Sequence, residues 1–271
     1  VVARVVTNTV VVRGVRIAYE EWGEGRPVVL VHGMGSWRRT WPQFRDAGYH
    51  FYSLDLPGFG DSALPKRRQR LEDYAATLVA AVAALAPSEP PLMVGHSFGC
   101  MVITRAAALG LADKAAAALL VSPAGFLEPR GVMMPTPFYT LNRLLIWITG
   151  SNWYGPRMVV ALGADPARLS PAERQDLQQG WRKAREMARM GRFYSYPTMA
   201  QDLERSGWPH LILAGDRDPL FPAAVWREAL AHLTVTWLPG QGHVPFLQDP
   251  ERFQEYWRAA LDRLYPAGAP A

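Results

Sequence analysis

The chain has 271 residues, 49% hydrophobic and 20% charged, an ordinary globular composition with room for a sizeable core. Its formal net charge is +5, but the basic residues are almost all arginine and only KRRQR at 66–70 is clustered. A nucleic-acid partner, which needs a basic face, is therefore not expected. One cysteine, Cys100, excludes a disulfide within the chain and a cysteine metal site.

No stretch approaches the roughly 20 apolar residues of a membrane span. The opening VVARVVTNTV lacks the basic start and long apolar run of a signal peptide, although no Met begins the chain. With a single thiol, the expected location is the cytoplasm. Length alone admits one large domain or two small ones, and no oligomeric state follows from the sequence.

In chain order, TNTVVVRGVRIAYEEWG (7–23) reads as two β-branched runs around Arg13-Gly14, a hairpin. Short apolar runs follow: RPVVLVHG (26–33), YHFYSLDLPG (49–58), PPLMVGHS (90–97), AAALLVSP (116–123), HLILAGD (210–216) and LTVTWLPG (233–240). Runs without polar alternation suit strands buried on both faces, as in a parallel sheet. Helical patterns lie between them, at 71–86, 98–110, 221–233 and 249–265. The alternation predicts an α/β fold with a mainly parallel sheet.

Residues 126–205 break the rhythm, with helical patterns and no strand-like run. Ser170, Pro171 and Glu173 open one of these helices, predicted over 170–191, with a capping box and Pro at the first helical position. The expected division is a core of 1–125 and 206–271 with a helical insertion at 126–205.

VGHSFG (94–99) carries the chemistry. A strand ends at Val94 and a helix begins near Phe98, so the turn between them is tight and strains the Ser97 backbone. Gly95 and Gly99 flank it because a Cβ would clash across the turn. This is a nucleophile elbow, and its context makes it credible where the bare pattern would not. A serine hydroxyl needs a base, and the base an orienting acid. HLILAGDRDPLFP offers Asp216 and Asp218 after one strand, and LPGQGHVPFLQDP places His243 after the last. These strand ends are the edge where an open α/β sheet builds its sites. Two backbone donors for a developing oxyanion are expected from Phe98 and, in the HGMG loop, Met34.

HGMG, DLPGFGDS, GHSFG, GDRDPLFP and GQGHVPF, in this order, resemble the α/β-hydrolase superfamily, in particular its lid-bearing esterase, peroxidase-like and carbon–carbon hydrolase branch. The resemblance runs from about Ile17 to Leu264 outside the insertion. It implies a sheet of about eight strands with a helical cap inserted before the acid-bearing strand. It also implies Ser97 as nucleophile, Asp218 as acid and His243 as base, with no metal or organic cofactor. Ser at 97 argues against the dehalogenase and epoxide hydrolase members, which carry Asp there. Two departures stand out. Cys100 replaces a common Gly or Ala, and Gln248 replaces a frequent acidic residue at a position expected to be peripheral.

Other residues receive quieter readings. His32 and His96 are expected to hold loops by hydrogen bonds, and Asp216, Asp55 and Asp61 to be turn residues. Trp37 and Trp41 either line the pocket mouth or pack in the core. Arg38 and Arg39 are expected to be solvated surface charges rather than binders of an anionic substrate. The candidate pocket residues are Trp37, Phe138, Trp147, Tyr194 and Val244. The cap is rich in further aromatic and apolar groups, including Tyr139, Leu144, Trp153, Tyr154, Phe193 and Tyr196. That favours a small to medium apolar or aromatic ester as substrate, cleaved through an acyl-enzyme. Carbon–carbon hydrolysis, cofactor-free perhydrolysis, a ligand-binding receptor and a structural protein with a relic site are the alternatives.

Overall fold

The apolar runs become the strands. The computed structural model describes residues 5–41, 44, 46, 48–85, 87–126, 141, 144, 160, 162, 163, 167, 169–184 and 196–267. Strands β1 (Val6–Val12) and β2 (Val15–Gly23) form the hairpin, with Arg13 and Gly14 both at positive φ in the turn. That conformation matches the twist of a two-residue hairpin loop. β3 (Gly25–Val31), β4 (Gly48–Leu54), β5 (Leu92–His96), β6 (Ala117–Val121), β7 (His210–Gly215) and β8 (Val235–Leu238) complete the sheet. The eight strands lie in the order β1-β2-β4-β3-β5-β6-β7-β8. β2 pairs antiparallel with β1 and β4, and every other pairing is parallel. The fold is α/β with an eight-stranded, mostly parallel sheet.

Side chains alternate across a strand, so each central strand feeds two layers. Val29, Val31, Met93 and Leu120 face one cluster, with helices α1 (Leu71–Leu85) and α2 (Phe98–Ala106). Val28, Leu30, Val94 and Leu119 face the other. In α1, Leu71, Tyr74, Ala75, Leu78, Ala81 and Val82 are buried, the i, i+3, i+4, i+7 stripe of a docked helix. The predicted helix at 98–110 is interrupted: α2 ends at Ala106 and a wider turn continues to Leu111, with Gly110 at positive φ.

Between β6 and β7 the described elements are helical. α3 (Pro171–Lys183) starts with the expected capping box: Ser170 Oγ accepts from Glu173 N at 3.2 Å, and Glu173 Oε2 accepts from Ser170 N at 2.7 Å. It stops at Lys183 rather than continuing to 191, and 185–195 lie outside the described residues. A short helix, α4 (Met199–Arg205), was not foreseen; seven residues are too few for a clear period. α5 (Ala223–Ala229) and the single turn α6 (Pro245–Gln248) lead to α7 (Pro250–Leu264).

α7 seals the second layer with Phe253, Trp257, Ala260 and Leu261. Trp257 stacks on Phe44 at 4.0 Å between ring centroids, with the two planes nearly parallel. Its Nε1 donates to Asp46 Oδ2 at 2.9 Å, and Gln254 and Arg258 bind the same carboxylate. Trp257→Ala should therefore cost about 3–5 kcal/mol, read as a lower urea midpoint. An unchanged midpoint would show that this layer does not depend on α7.

Candidate active site

Ser97 stands between β5 and α2 with φ +50° and ψ −113°. A non-glycine residue there is strained and persists only when its surroundings over-determine it. The surroundings do so. Ser97 N donates to Val121 O at 3.0 Å, and Cys100 N and Ala124 N both donate to Ser97 O at 3.1 Å. The flanking glycines are needed for space. A Cβ at Gly99 would collide with the Val31 carbonyl, and one at Gly95 would lie 2.8 Å from Cys100 N.

Two loops from distant sequence meet this serine. His243 Nε2 is 2.9 Å from Ser97 Oγ, and His243 Nδ1 is 2.8 Å from Asp218 Oδ2. Asp218 Oδ1 accepts from the amides of Leu220 at 2.8 Å and Phe221 at 3.1 Å. Asp218 and His243 are both buried. A carboxylate only accepts, so Nδ1 carries the proton towards Asp218 and Nε2 is left to accept from the serine hydroxyl. Asp216 Oδ1 accepts from Gly240 N at 2.6 Å, a tie between the loops after β7 and β8 rather than a local turn.

The HGMG loop passes directly by. A Cβ at Gly33 would sit 3.2 Å from Ser97 Cβ and 2.8 Å from His96 Nδ1. Met34 is half-buried in this loop, and Phe98 opens α2 beside Ser97. Leu56 N donates to His32 Nε2 at 3.0 Å, so His32 carries its proton on Nδ1 and donates to Gly33 O at 2.7 Å. His32 thus ties this loop to the PGFG turn, as the sequence suggested.

The Alpha/beta hydrolase family model matches residues 28–255. The chain belongs to the alpha/beta hydrolase family. It is 25% identical over 259 residues to the (E)-2-((N-methylformamido)methylene)succinate hydrolase of Acinetobacter baylyi, covering 90% of this chain and 93% of that one. It is 26% identical over 240 residues to a non-heme haloperoxidase of Rhodococcus erythropolis, covering 81% and 85%. Among solved structures, an esterase from Rhodococcus sp. shares the fold with a TM-score of 0.69 at 22% identity, covering 97% of this chain and 99% of that one.

This α/β hydrolase is an enzyme, and its site departs from the sequence reading in three further places. Arg38 is not a solvated charge: it is 3% exposed and pairs with Asp55 Oδ2 (through Nη1), Asp61 Oδ2 at 2.9 Å and Glu20 Oε1 at 3.3 Å. Burial would lower its pKa, but Asp55, Asp61 and Glu20 raise it, so the guanidinium stays charged. Arg39 is half-exposed at its side chain and pairs with Glu20 at 2.7 Å. No local pattern marks these pairs, because Glu20 on β2 and Asp55 just after β4 are far apart in the chain. Asp55 and Asp61 do form the expected turn, Asp61 N donating to Asp55 Oδ2 at 2.8 Å.

Gln248 is not peripheral. Its Oε1 accepts from Gly242 N at 2.5 Å and its Nε2 donates to Gly240 O at 3.0 Å, stapling the loop before His243. The third departure is a partner that sequence could not reveal. Leu162, between β6 and β7, accepts from His243 N at 3.0 Å through its carbonyl.

Trp37 is buried with Nε1 donating to the Asp176 carbonyl of α3 at 2.8 Å, and Trp41 is buried against Phe246 at 5.0 Å. Both are buried in the fold. Val244 is buried directly after His243, whereas Phe138, Trp147 and Tyr194 lie outside the described residues, as do Tyr139, Trp153, Tyr154 and Phe193. Of the other aromatic and apolar candidates between β6 and β7, Tyr196 is buried and Leu144 is exposed. Cys100 fits the elbow, fully buried with Sγ 3.6 Å from Val121 O, and burial pushes its thiol pKa well up. His50, His210 and His232 pair elsewhere, with Glu21, the Trp208 carbonyl and Glu204. Among the described residues no cluster could hold a metal ion, and no helix is long and apolar enough to cross a membrane.

His96 Nε2 donates to the His243 carbonyl at 2.9 Å. Burial lowers the pKa of His32 to about 4, helped by Arg38, and that of His96 to about 3, helped by His243. Both are neutral in the fold, whereas the unfolded chain protonates them below its ordinary 6.5. Stability is then full above that pH and falls as pH drops towards the folded values, by up to about 1.4 kcal/mol per unit for each group. The urea midpoint should decrease from about pH 7 to about pH 4.5, and His32→Gln should flatten the slope. A midpoint that rises on acidification would contradict buried neutral imidazoles.

Proposed function

We propose that this α/β hydrolase is a serine carboxylesterase acting on small to medium apolar or aromatic esters. One observation carries the reading: an unbroken hydrogen-bond chain from Ser97 Oγ through His243 to buried Asp218, beginning at a strained elbow. His243 takes the Ser97 proton as Oγ attacks the ester carbonyl carbon. Asp218 holds the imidazole tautomer and stabilises the imidazolium. The amides of Met34 and Phe98 receive the oxyanion. The intermediate collapses, His243 protonates the leaving alcohol, and an acyl group stays on Ser97. Water then gives a proton to His243 as it attacks the acyl carbon; the bond to Ser97 Oγ breaks, His243 returns that proton to Oγ, and the acid leaves. No step needs a cofactor.

In this proposal residues 126–205 form the cap, on the core of 1–125 and 206–271, and the pocket draws on Val244 and on the aromatic residues of the cap. The apolar and aromatic cap composition supports the choice of substrate. A cytoplasmic setting is part of the same reading, supported by the single buried thiol. The haloperoxidase and succinate-derivative hydrolase relatives favour a second reading, perhydrolysis or another bond hydrolysed by the same three residues.

Intact-protein mass after brief exposure to a small fluorophosphonate tests the first step. Wild type should gain one adduct at Ser97, Ser97→Ala none, and His243→Ala should react at least about a thousandfold more slowly. Asp218→Asn should lower ester kcat by roughly 10⁴. A panel of esters, run with and without hydrogen peroxide, separates the two chemistries. A folded wild type that binds esters tightly, forms no adduct and gives no product would be a receptor, and the proposal would fail.

A further inference from the structure

The insertion meets the HGMG loop through α3. Trp181 packs on Gly35: a Cβ there would lie 3.1 Å from its indole. Gly180 permits the approach, since its own Cβ would stand 3.1 Å from Trp37 Cδ1 and 3.2 Å from Gly35 O. Trp37, next in the loop, donates to the Asp176 carbonyl. The loop that carries Met34 is therefore pressed between the core and one helix of the cap.

Beneath it lies an ion cluster. Arg38 is held at its backbone by Asp55, with N donating to Oδ1 at 2.7 Å, and its carbonyl accepts from Ser53 Oγ at 2.7 Å. The core alone places three carboxylates, Glu20, Asp55 and Asp61, against two guanidiniums, Arg38 and Arg39. Helix α3 adds one cation, Lys183, and a fourth carboxylate, Asp176. Lys183 Nζ lies 2.6 Å from Asp61 Oδ1 and 4.4 Å above the Trp37 ring. Asp176, also on α3, joins the same field, and burial raises its pKa. Burial would raise the Asp61 pKa too, but hydrogen bonds from Lys183 and Arg38 hold it below the ordinary carboxylate value.

We propose that Lys183 is a positioning residue, closing the Asp61–Arg38–Asp55 ion chain from the cap and so holding the 33–40 loop where the Met34 amide can meet the oxyanion. This rests on the serine hydrolase reading. The cap then does more than cover the substrate: one of its charges completes the frame of the oxyanion loop. Because Lys183 and Asp61 are partly exposed, at 33% and 43% of their side chains, salt screens this link while leaving the buried Arg38–Asp55 pair in place.

The test compares wild type, Lys183→Met and Lys183→Arg. Hydrogen exchange over peptide 33–41 should quicken in the Met variant and return towards wild type in the Arg variant. The Met variant should lose about fivefold in kcat on a small ester with KM within about twofold, the size expected of a partly exposed ion pair. Raising salt from about 0.05 to about 0.5 M should lower kcat in wild type and leave the Met variant flat. Unchanged exchange and kcat in Lys183→Met would overturn the proposal, as would a change in KM alone, which belongs to substrate binding. Fluorophosphonate labelling keeps the two readings apart. Full labelling of Ser97 in every variant with no kcat effect sinks only the role of Lys183. An unlabelled wild type sinks the serine hydrolase reading, and with it any oxyanion role for the loop.

Discussion

Helix α2 meets the end of β3 at Gly99, where a Cβ would collide with the Val31 carbonyl and come within 2.8 Å of that of His32. This close approach is the constraint on which the rest of the site depends. It brings the helix N-terminus to the carboxyl edge of the sheet and forces Ser97 into positive φ. Strain of that kind costs on the order of 1–3 kcal/mol and must be offset by the packing around it. The offset is visible in β5 and β6, whose residues are buried on both faces, and in the hydrogen bonds that clamp Ser97 to Val121 and Ala124. A parallel sheet then does the remaining work of convergence. The carboxyl ends of β3, β5, β7 and β8 lie along one edge, so the loops that follow them meet there.

Convergence alone would leave His243 on a glycine-rich loop with little to hold it. The structure pins that loop from several directions. Asp216 and Gln248 both hold Gly240, Gln248 also takes the Gly242 amide, His96 donates to the His243 carbonyl, and Leu162 accepts from its amide. An amide side chain suits position 248 because it accepts from one backbone group and donates to another; a carboxylate could only accept. His243 is thereby bound to β5 by its carbonyl and to the residues between β6 and β7 by its amide. Burial keeps the His96 pKa far below neutrality, so His96 stays neutral and its Nε2 proton serves the His243 carbonyl.

Arg38 shows the same logic with charge. A buried ion is costly unless its partners are complete, and removing one partner from a buried pair typically costs about 3–5 kcal/mol. Here Asp55 supplies a carboxylate to both the guanidinium and the backbone amide of Arg38, so the pair fixes the backbone as well as balancing charge. The stretch from His32 to Thr40 is short and irregular. It is held by side chains rather than by ladder hydrogen bonds, and this makes its position sensitive to what packs above it.

Much of this was legible in the chain itself. Apolar runs such as PVVLV and ALLV specify buried strands because no polar alternation allows a solvent face, and their alternation with helical patterns specifies a parallel sheet. Ser97 between Gly95 and Gly99 was legible because tight-turn sterics act within a few residues. The order of strand ends pointed to His243 and left Asp216 and Asp218 open, and the family resemblance chose Asp218; only folding brings Asp218 within hydrogen-bond distance of His243, and His243 within that distance of the serine. What sequence could not decide was every contact between elements far apart in the chain. Arg38 reads as a surface charge until Glu20, Asp55 and Asp61 surround it, and Gln248 reads as peripheral until its loop folds back. Local patterning records which side of an element is apolar; it does not record which polar group on a distant element will meet it. Those pairings depend on the three-dimensional register of strands, loops and insertion, and only the tertiary structure decided them.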